Sequence, residues 1–408
     1  MPRLLFCILL GVVIGTVGCG GSSSATANPG NNSIAGAANN VVTISAGGGA
    51  SNPVGLVNGA FASATFCSPG TSNCVTIDGL LVDTGSTGLR VLSSVLPTGL
   101  SLPKQSDSGG NPIVECVQFG DGFTWGPVET ADMKIAGEQA NSLPIQVIGD
   151  PNFSSVPADC SNSALGPNEN TVAALGANGI LGVGNFKQDC GPACTVIGPA
   201  NPAFYYSCPS SGCVVAPVGL AQQVQHPVAL FTGDNNGVIV ELPSVSPGGT
   251  VSSTGSLVFG IGTQSNNSLN AATVLTLDAN GNFVTSFNGA SFSGSFVDSG
   301  SNGIFFLDPA STGMPLCPVN TDFYCPTSLK SFSATNVGLN GQSTVVNFSV
   351  ASGDGLLATS SPNFLLPELA APNPGSFDWG LPFFFGRNVF VAIEGQSTPG
   401  GTGPYAAY

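Results

Sequence analysis

The sequence predicts an all-β chain folded as two similar halves that face each other, with few short helices. Three observations carry this. Of 408 residues, 57 are Gly and 31 are Pro, while only 7% are charged. That composition suits many short strands and turns and starves long helices of Lys, Glu and Arg. No extended segment repeats its apolar residues with the 3.6-residue period of a surface helix. Finally, one local figure occurs twice: Leu81-Val82-Asp83-Thr84-Gly85-Ser86, and later Phe296-Val297-Asp298-Ser299-Gly300-Ser301.

The doubled figure carries the chemistry. An apolar strand that ends in Asp-(Thr/Ser)-Gly-Ser turns sharply at the Gly, and its hydroxyls can hydrogen-bond the carboxylate. A single copy reads as an ordinary turn. Two copies with matching apolar flanks predict two lobes that each offer one carboxyl to a shared site. Two carboxyls about 3 Å apart cannot both ionise and so share a proton. One then serves as general base on a water and the other as general acid on a carbonyl.

In chain order, Arg3 and the apolar run Leu4 to Val17 read as a secretory signal, residues 1–18, too short to span a bilayer. The sequence Thr16-Val17-Gly18-Cys19 resembles a bacterial lipoprotein signal, which implies acylation of Cys19 and a membrane anchor, with plain secretion as the alternative. Residues 19–40, rich in Gly, Ser, Ala and Asn, read as a flexible tether. Residues 41–216 form the expected N-terminal lobe, 217–395 the C-terminal lobe, and 396–408 a loose C-terminal tail.

Leaving aside Cys7 and Cys19, the remaining cysteines are even in number, as expected for disulfides in an exported chain. Cys67–Cys74 and Cys317–Cys325 are close enough to close local loops, and Cys116–Cys160 is compatible. Cys190, Cys194, Cys208 and Cys213 can pair in three ways, which spacing leaves open. No Cys-x-x-Cys occurs and His226 is the only histidine, so neither metal nor cofactor is expected.

Between Cys67 and Cys74 a Pro-Gly-Thr-Ser-Asn turn reads as the tip of the hairpin that delivers Asp83. Val117-Gln118-Phe119-Gly120-Asp121-Gly122-Phe123-Thr124-Trp125 reads as a second hairpin with a Gly-rich aromatic tip, able to act as a lid. Leu220 to Val228 is a short helix candidate that holds His226. Phe377-Asp378-Trp379-Gly380 and Val389 to Ile393 supply a buried run, a turn and a last strand.

These landmarks, in this order and over most of the mature length, resemble the pepsin-like aspartic proteases. Asp83-Thr84-Gly85-Ser86 and Asp298-Ser299-Gly300-Ser301 match the two catalytic motifs. Asn178-Gly179-Ile180-Leu181-Gly182 looks like the apolar-apolar-Gly element that buttresses the first active-site loop, and Gly255 to Gly262 like the strand opening the second lobe. The resemblance implies a bilobal pepsin-like acid protease fold. It implies catalysis by Asp83 and Asp298, with support from Thr84, Gly85, Ser86, Ser299, Gly300 and Ser301. Phe119, Gly120 and Trp125 would form the flap over substrate. Two departures stand out: Phe119 takes the place of the flap tyrosine, and Arg90 that of a tryptophan. A guanidinium at Arg90, if it pointed inward, would favour ionised Asp83.

The formal charge of −15 excludes a nucleic-acid or anionic-membrane surface as the partner. The expected function is an extracytoplasmic aspartic endopeptidase acting as a monomer on peptide or protein substrates. The alternative is a pepsin-fold surface lipoprotein of little activity that binds peptide or glycan in its cleft. A serine hydrolase is disfavoured: Ser106-Asp107-Ser108-Gly109-Gly110 has no suitably placed histidine.

Overall fold

Strands dominate the computed structural model, which describes residues 33–161 and 166–408. The fold is all-β and bilobal, and one three-strand figure recurs in its two halves. In the first half, strand Cys74–Asp83 runs parallel to Gly179–Val183, with Val82 opposite Leu181 and Asp83 opposite Gly182. Strand Thr87–Leu92 returns antiparallel on the other side, with Leu89 opposite Leu181 and Arg90 opposite Ile180. In the second half, Ala290–Val297 runs parallel to Asn373–Trp379, with Phe296 opposite Asp378 and Val297 opposite Trp379. Ile304–Leu307 then returns antiparallel, with Ile304 opposite Trp379 and Phe305 opposite Asp378. The register makes Leu181 equivalent to Trp379, Ile180 to Asp378, and Arg90 to Phe305.

Strands buried on both faces need near-continuous apolar runs, and these have them. Leu80, Val82, Leu89, Val91, Leu181 and Val183 fill the first half. The second half is aromatic: Phe377 stacks on Trp379 with ring centroids 5.3 Å apart, and Phe287, Phe306 and Phe348 close around them. Each core holds the strand that ends in its aspartate.

One sheet of fifteen strands spans both halves, and a second of seven belongs to the C-terminal half. Strand Val41–Gly47 joins the halves. It pairs with Ala60–Cys67 on one edge and with Ser252–Phe259 on the other, from Val41 opposite Val258 to Gly47 opposite Ser252.

Three expectations are corrected. The tail is not loose: Tyr405–Ala407 pairs with Val274–Thr276 and with Arg387–Ala392, and all three residues are fully buried. Part of the tether is also packed. The Ala35 amide donates to Glu241 Oε2 at 2.6 Å, and buried Asn40 donates to the Phe259 carbonyl at 3.0 Å. Leu220 to Val228 is not one helix but lies across two 3-10 turns, Leu220–Gln222 and Pro227–Leu230. Pro227 has no N–H to continue an earlier turn, and buried His226 caps the second through Nδ1, which accepts from the Val228 amide at 3.2 Å. The signal, Cys19 and residues 20–32 lie outside the described residues.

Among the described residues five disulfides are formed: Cys67–Cys74, Cys116–Cys160, Cys190–Cys194, Cys208–Cys213 and Cys317–Cys325. The four cysteines left open by spacing thus pair locally. Five disulfides mark an exported or extracellular protein. No helix among the described residues is long and apolar enough to cross a membrane.

Candidate active site

The two motif loops meet at the seam between the halves, and each is shaped by the other. A Cβ on Gly85 would lie 2.5 Å from Asp298 Cγ, and one on Gly300 would lie 2.7 Å from Asp83 Oδ1. Glycine is needed at both positions because the opposing carboxyl occupies the space. The residues just before these glycines, Thr84 and Ser299, lock the loops together reciprocally. The Ser299 amide donates to Thr84 Oγ1 at 2.9 Å, and the Thr84 amide donates to Ser299 Oγ at 3.1 Å. Each hydroxyl then donates across the seam, Ser299 to the Val82 carbonyl at 2.7 Å and Thr84 to the Val297 carbonyl at 3.3 Å. All four groups are buried, where each such bond is strengthened by the low local dielectric.

Each carboxyl is also held within its own loop. Asp83 accepts from the Gly85 amide at 2.8 Å and from the Ser86 hydroxyl in a very short contact. Asp298 accepts from the Gly300 amide at 2.8 Å, the Ser301 amide at 3.3 Å and the Ser301 hydroxyl at 2.8 Å. The two carboxyls converge on one spot: a Cβ on Gly300 would meet Asp83 Oδ1 at 2.7 Å and Asp298 Oδ1 at 3.1 Å. Burial, then the charge of Asp83, then that of Asp378, push the Asp298 carboxyl well above the usual carboxylate range. A proton is therefore retained at the seam.

Asp378 is a site residue that the sequence reading did not single out. Its Oδ2 lies 2.7 Å from Ser301 Oγ, the same hydroxyl that reaches Asp298. The sequence held one signal: an acid inside the otherwise apolar run Phe377 to Trp379.

Other candidates lie elsewhere. Arg90 does not face the dyad. It is fully buried and pairs with Glu115 and Asp189, each at 3.0 Å, while Nη1 donates to the Thr87 carbonyl at 2.8 Å. Tyr205 completes this network by donating to Asp189 Oδ1 at 2.6 Å. The charge is neutralised within the first half, so the expected influence on Asp83 is corrected. Trp125 is corrected likewise. Its ring is 2% exposed, its Nε1 donates to the Phe153 carbonyl at 2.7 Å, and it packs edge-on against Tyr206. It builds the core of the hairpin Ile113–Gln118 and Phe123–Ile135, beside the Cys116–Cys160 bridge, and is not a substrate contact. Phe119 and Gly120 are at the hairpin tip, which closes through the Phe119 amide donating to the Gly122 carbonyl at 2.8 Å. Nothing crowds Gly120 within 4 Å.

Comparison with known proteins agrees with this geometry. A family model described as "Protein of unknown function (DUF3443)" matches residues 36–408. The chain belongs to that family. Among solved structures it is similar to an aspartic proteinase from Irpex lacteus, with a TM-score of 0.53 and 14% identity, covering 90% of this chain and 96% of that one. At that identity the likeness establishes the pepsin-like fold. No curated protein matches in sequence. The DUF3443 chain thus keeps a pepsin-like architecture with two Asp-x-Gly loops facing one another.

Proposed function

We propose that this DUF3443 protein is an extracytoplasmic aspartic endopeptidase whose water is activated by Asp83 and Asp298. The observation that carries the reading is the mutual approach of the two carboxyls across Gly85 and Gly300. Two acids brought together in a buried seam at this cost in desolvation and repulsion are explained by a shared proton put to use. Asp83 takes a proton from the water as its oxygen attacks the peptide carbonyl, and Asp298 gives its proton to the carbonyl oxygen. In the second step the hydrated intermediate returns a hydroxyl proton to Asp298 and Asp83 protonates the leaving nitrogen, which restores the pair. Phe119 and Gly120 at the hairpin tip would cover the substrate. The disulfides and the residues preceding Cys19 support export, and a lipid on Cys19 belongs to the same proposal.

The test is hydrolysis of an unfolded protein between pH 3 and 7 by wild type, Asp83→Asn and Asp298→Asn. The reading expects activity in wild type and a loss of at least about a thousandfold in either variant, given the size of general acid–base contributions. Equal hydrolysis by all three would remove it.

A further inference from the structure

The seam contains three carboxyls, not two. Ser301 Oγ lies 2.8 Å from Asp298 Oδ2 and 2.7 Å from Asp378 Oδ2. A serine hydroxyl has one hydrogen. It cannot donate to both acids, so at least one of them must bring a proton and donate to Ser301. That proton is either the one the dyad shares, carried by Asp298, or a further one on Asp378, and the second Asp378 oxygen favours the latter. The other Asp378 oxygen, Oδ1, is buried without a hydrogen-bond partner. A buried carbonyl oxygen of a neutral acid tolerates that far better than an ionised carboxylate does.

The fold does not require an acid here. In the first half the equivalent position is Ile180, 3% exposed, which packs as an apolar residue of the same strand register. Asp378 is thus a departure from the internal symmetry, made beside only one of the two aspartates. The charged groups facing it are Asp83 and Asp298. Two buried arginines are engaged with other groups: Arg387 donates to the Phe383 carbonyl, and Arg90 is paired within the first half.

We propose, resting on the dyad reading above, that Asp378 is a positioning residue of the site which, through Ser301, keeps the working proton on Asp298 as the pH rises. While Asp378 is neutral it donates to Ser301, whose hydrogen then points at Asp298 Oδ2. When Asp378 ionises, two effects act in one direction. Ser301 turns its hydrogen to Asp378, so Asp298 loses a donor. The new negative charge also opposes a second ionisation alongside it. Both raise the proton affinity of Asp298. Burial, with a smaller contribution from Asp83, pushes the Asp378 carboxyl up to about 8, against the donation from Ser301. The window in which the dyad holds one proton is thereby extended towards neutral and mildly alkaline pH. Such a window suits an exported enzyme without an acidic compartment.

The experiment compares wild type with Asp378→Asn, whose amide still donates to Ser301 but cannot ionise. Carbon-13-labelled aspartate and difference infrared spectroscopy follow the protonated carboxyls across pH without any need for turnover. The same pH series is run with a fluorogenic peptide for kcat/KM. The expected result is loss of one protonated carboxyl band in the variant, and a downward move of about one pH unit in the dyad's titration and in the alkaline limb of kcat/KM. An unchanged band set, or an alkaline limb that stays put or moves up, would overturn the proposal. A wild type with no peptidase activity defeats the proposed function alone, because the infrared titration still decides whether Asp378 raises the dyad. If Asp378→Asn does not fold, Ser301→Ala takes its place. Cutting the hydroxyl link must then shift the Asp378 band, and a stationary band counts against the idea.

Discussion

Alanine at Gly85 tests the reciprocal fit of the two loops most directly. Gly85 does not adopt a left-handed backbone, so alanine meets no conformational barrier of its own. The new Cβ would sit 2.5 Å from Asp298 Cγ, whereas ordinary contact begins near 3.4 Å. The carboxyl must therefore withdraw by 3.4 − 2.5 = 0.9 Å. A displacement of about 1 Å in a reacting group costs roughly 10²-fold in rate, equivalent to about 2.7 kcal/mol of transition-state stabilisation. The assay is kcat/KM on a fluorogenic peptide, with thermal unfolding measured in parallel. Gly99→Ala is the control, since nothing lies within 4 Å of its added methyl. The expected result is a fall of about a hundredfold in Gly85→Ala with a cooperative unfolding transition retained, and no change in Gly99→Ala. If Gly85→Ala kept more than a third of the wild-type rate, the contact between the loops would not be what sets the position of Asp298.

Two further outcomes follow from groups away from the dyad. Arg90→Met leaves Glu115 and Asp189 buried without their cation, which costs about 3–5 kcal/mol. A lowered urea midpoint with an unchanged pH profile of peptidase activity is expected, and a shifted profile would show that Arg90 does act on Asp83. Glu169, buried beside Asp121 near the hairpin tip, is pushed up to about 9 by burial and by that neighbour. Its folded pKa is above the unfolded value of 4.5, so the stability it contributes is complete below that value and is lost as pH rises towards 9. Glu169→Gln, neutral throughout, should melt higher than wild type at pH 8 and alongside it at pH 4; an equal difference at both would reject the shift.

The dyad was legible because its signal is local and repeated. Each Asp-(Thr/Ser)-Gly-Ser figure follows an apolar strand, so chain order alone predicted two equivalent carboxyls. The strand pattern was legible for the same reason at Leu80 to Asp83 and at Gly179 to Val183. The closing strand was not, because Tyr405–Ala407 is only three residues long and follows Gly and Pro. Its place is set by pairing with Val274–Thr276 and Arg387–Ala392, partners that are distant in sequence or separated from it by a turn. Arg90 and Asp378 illustrate another limit. Both are charged residues inside apolar runs, which marks them as unusual. Only coordinates show that Arg90 turns to Glu115 and Asp189 while Asp378 turns to Ser301. Trp125 failed for a related reason: sequence placed it near a hairpin tip but could not say which face of the hairpin it occupies.

The pairing of Val41–Gly47 with Ser252–Phe259 has a consequence for how the two aspartates stay aligned. Slipping that pair by one residue would turn every side chain of the strand to the wrong face, so the permitted alignments are discrete. The strand acts as a ratchet tooth between the halves, and it fixes their offset through backbone pairing. Two identical half-molecules meeting in solution would have to find their offset afresh at each encounter. Here a ladder of peptide groups keeps it permanently, which leaves the two halves free to diverge at the seam, as Ile180 and Asp378 have done.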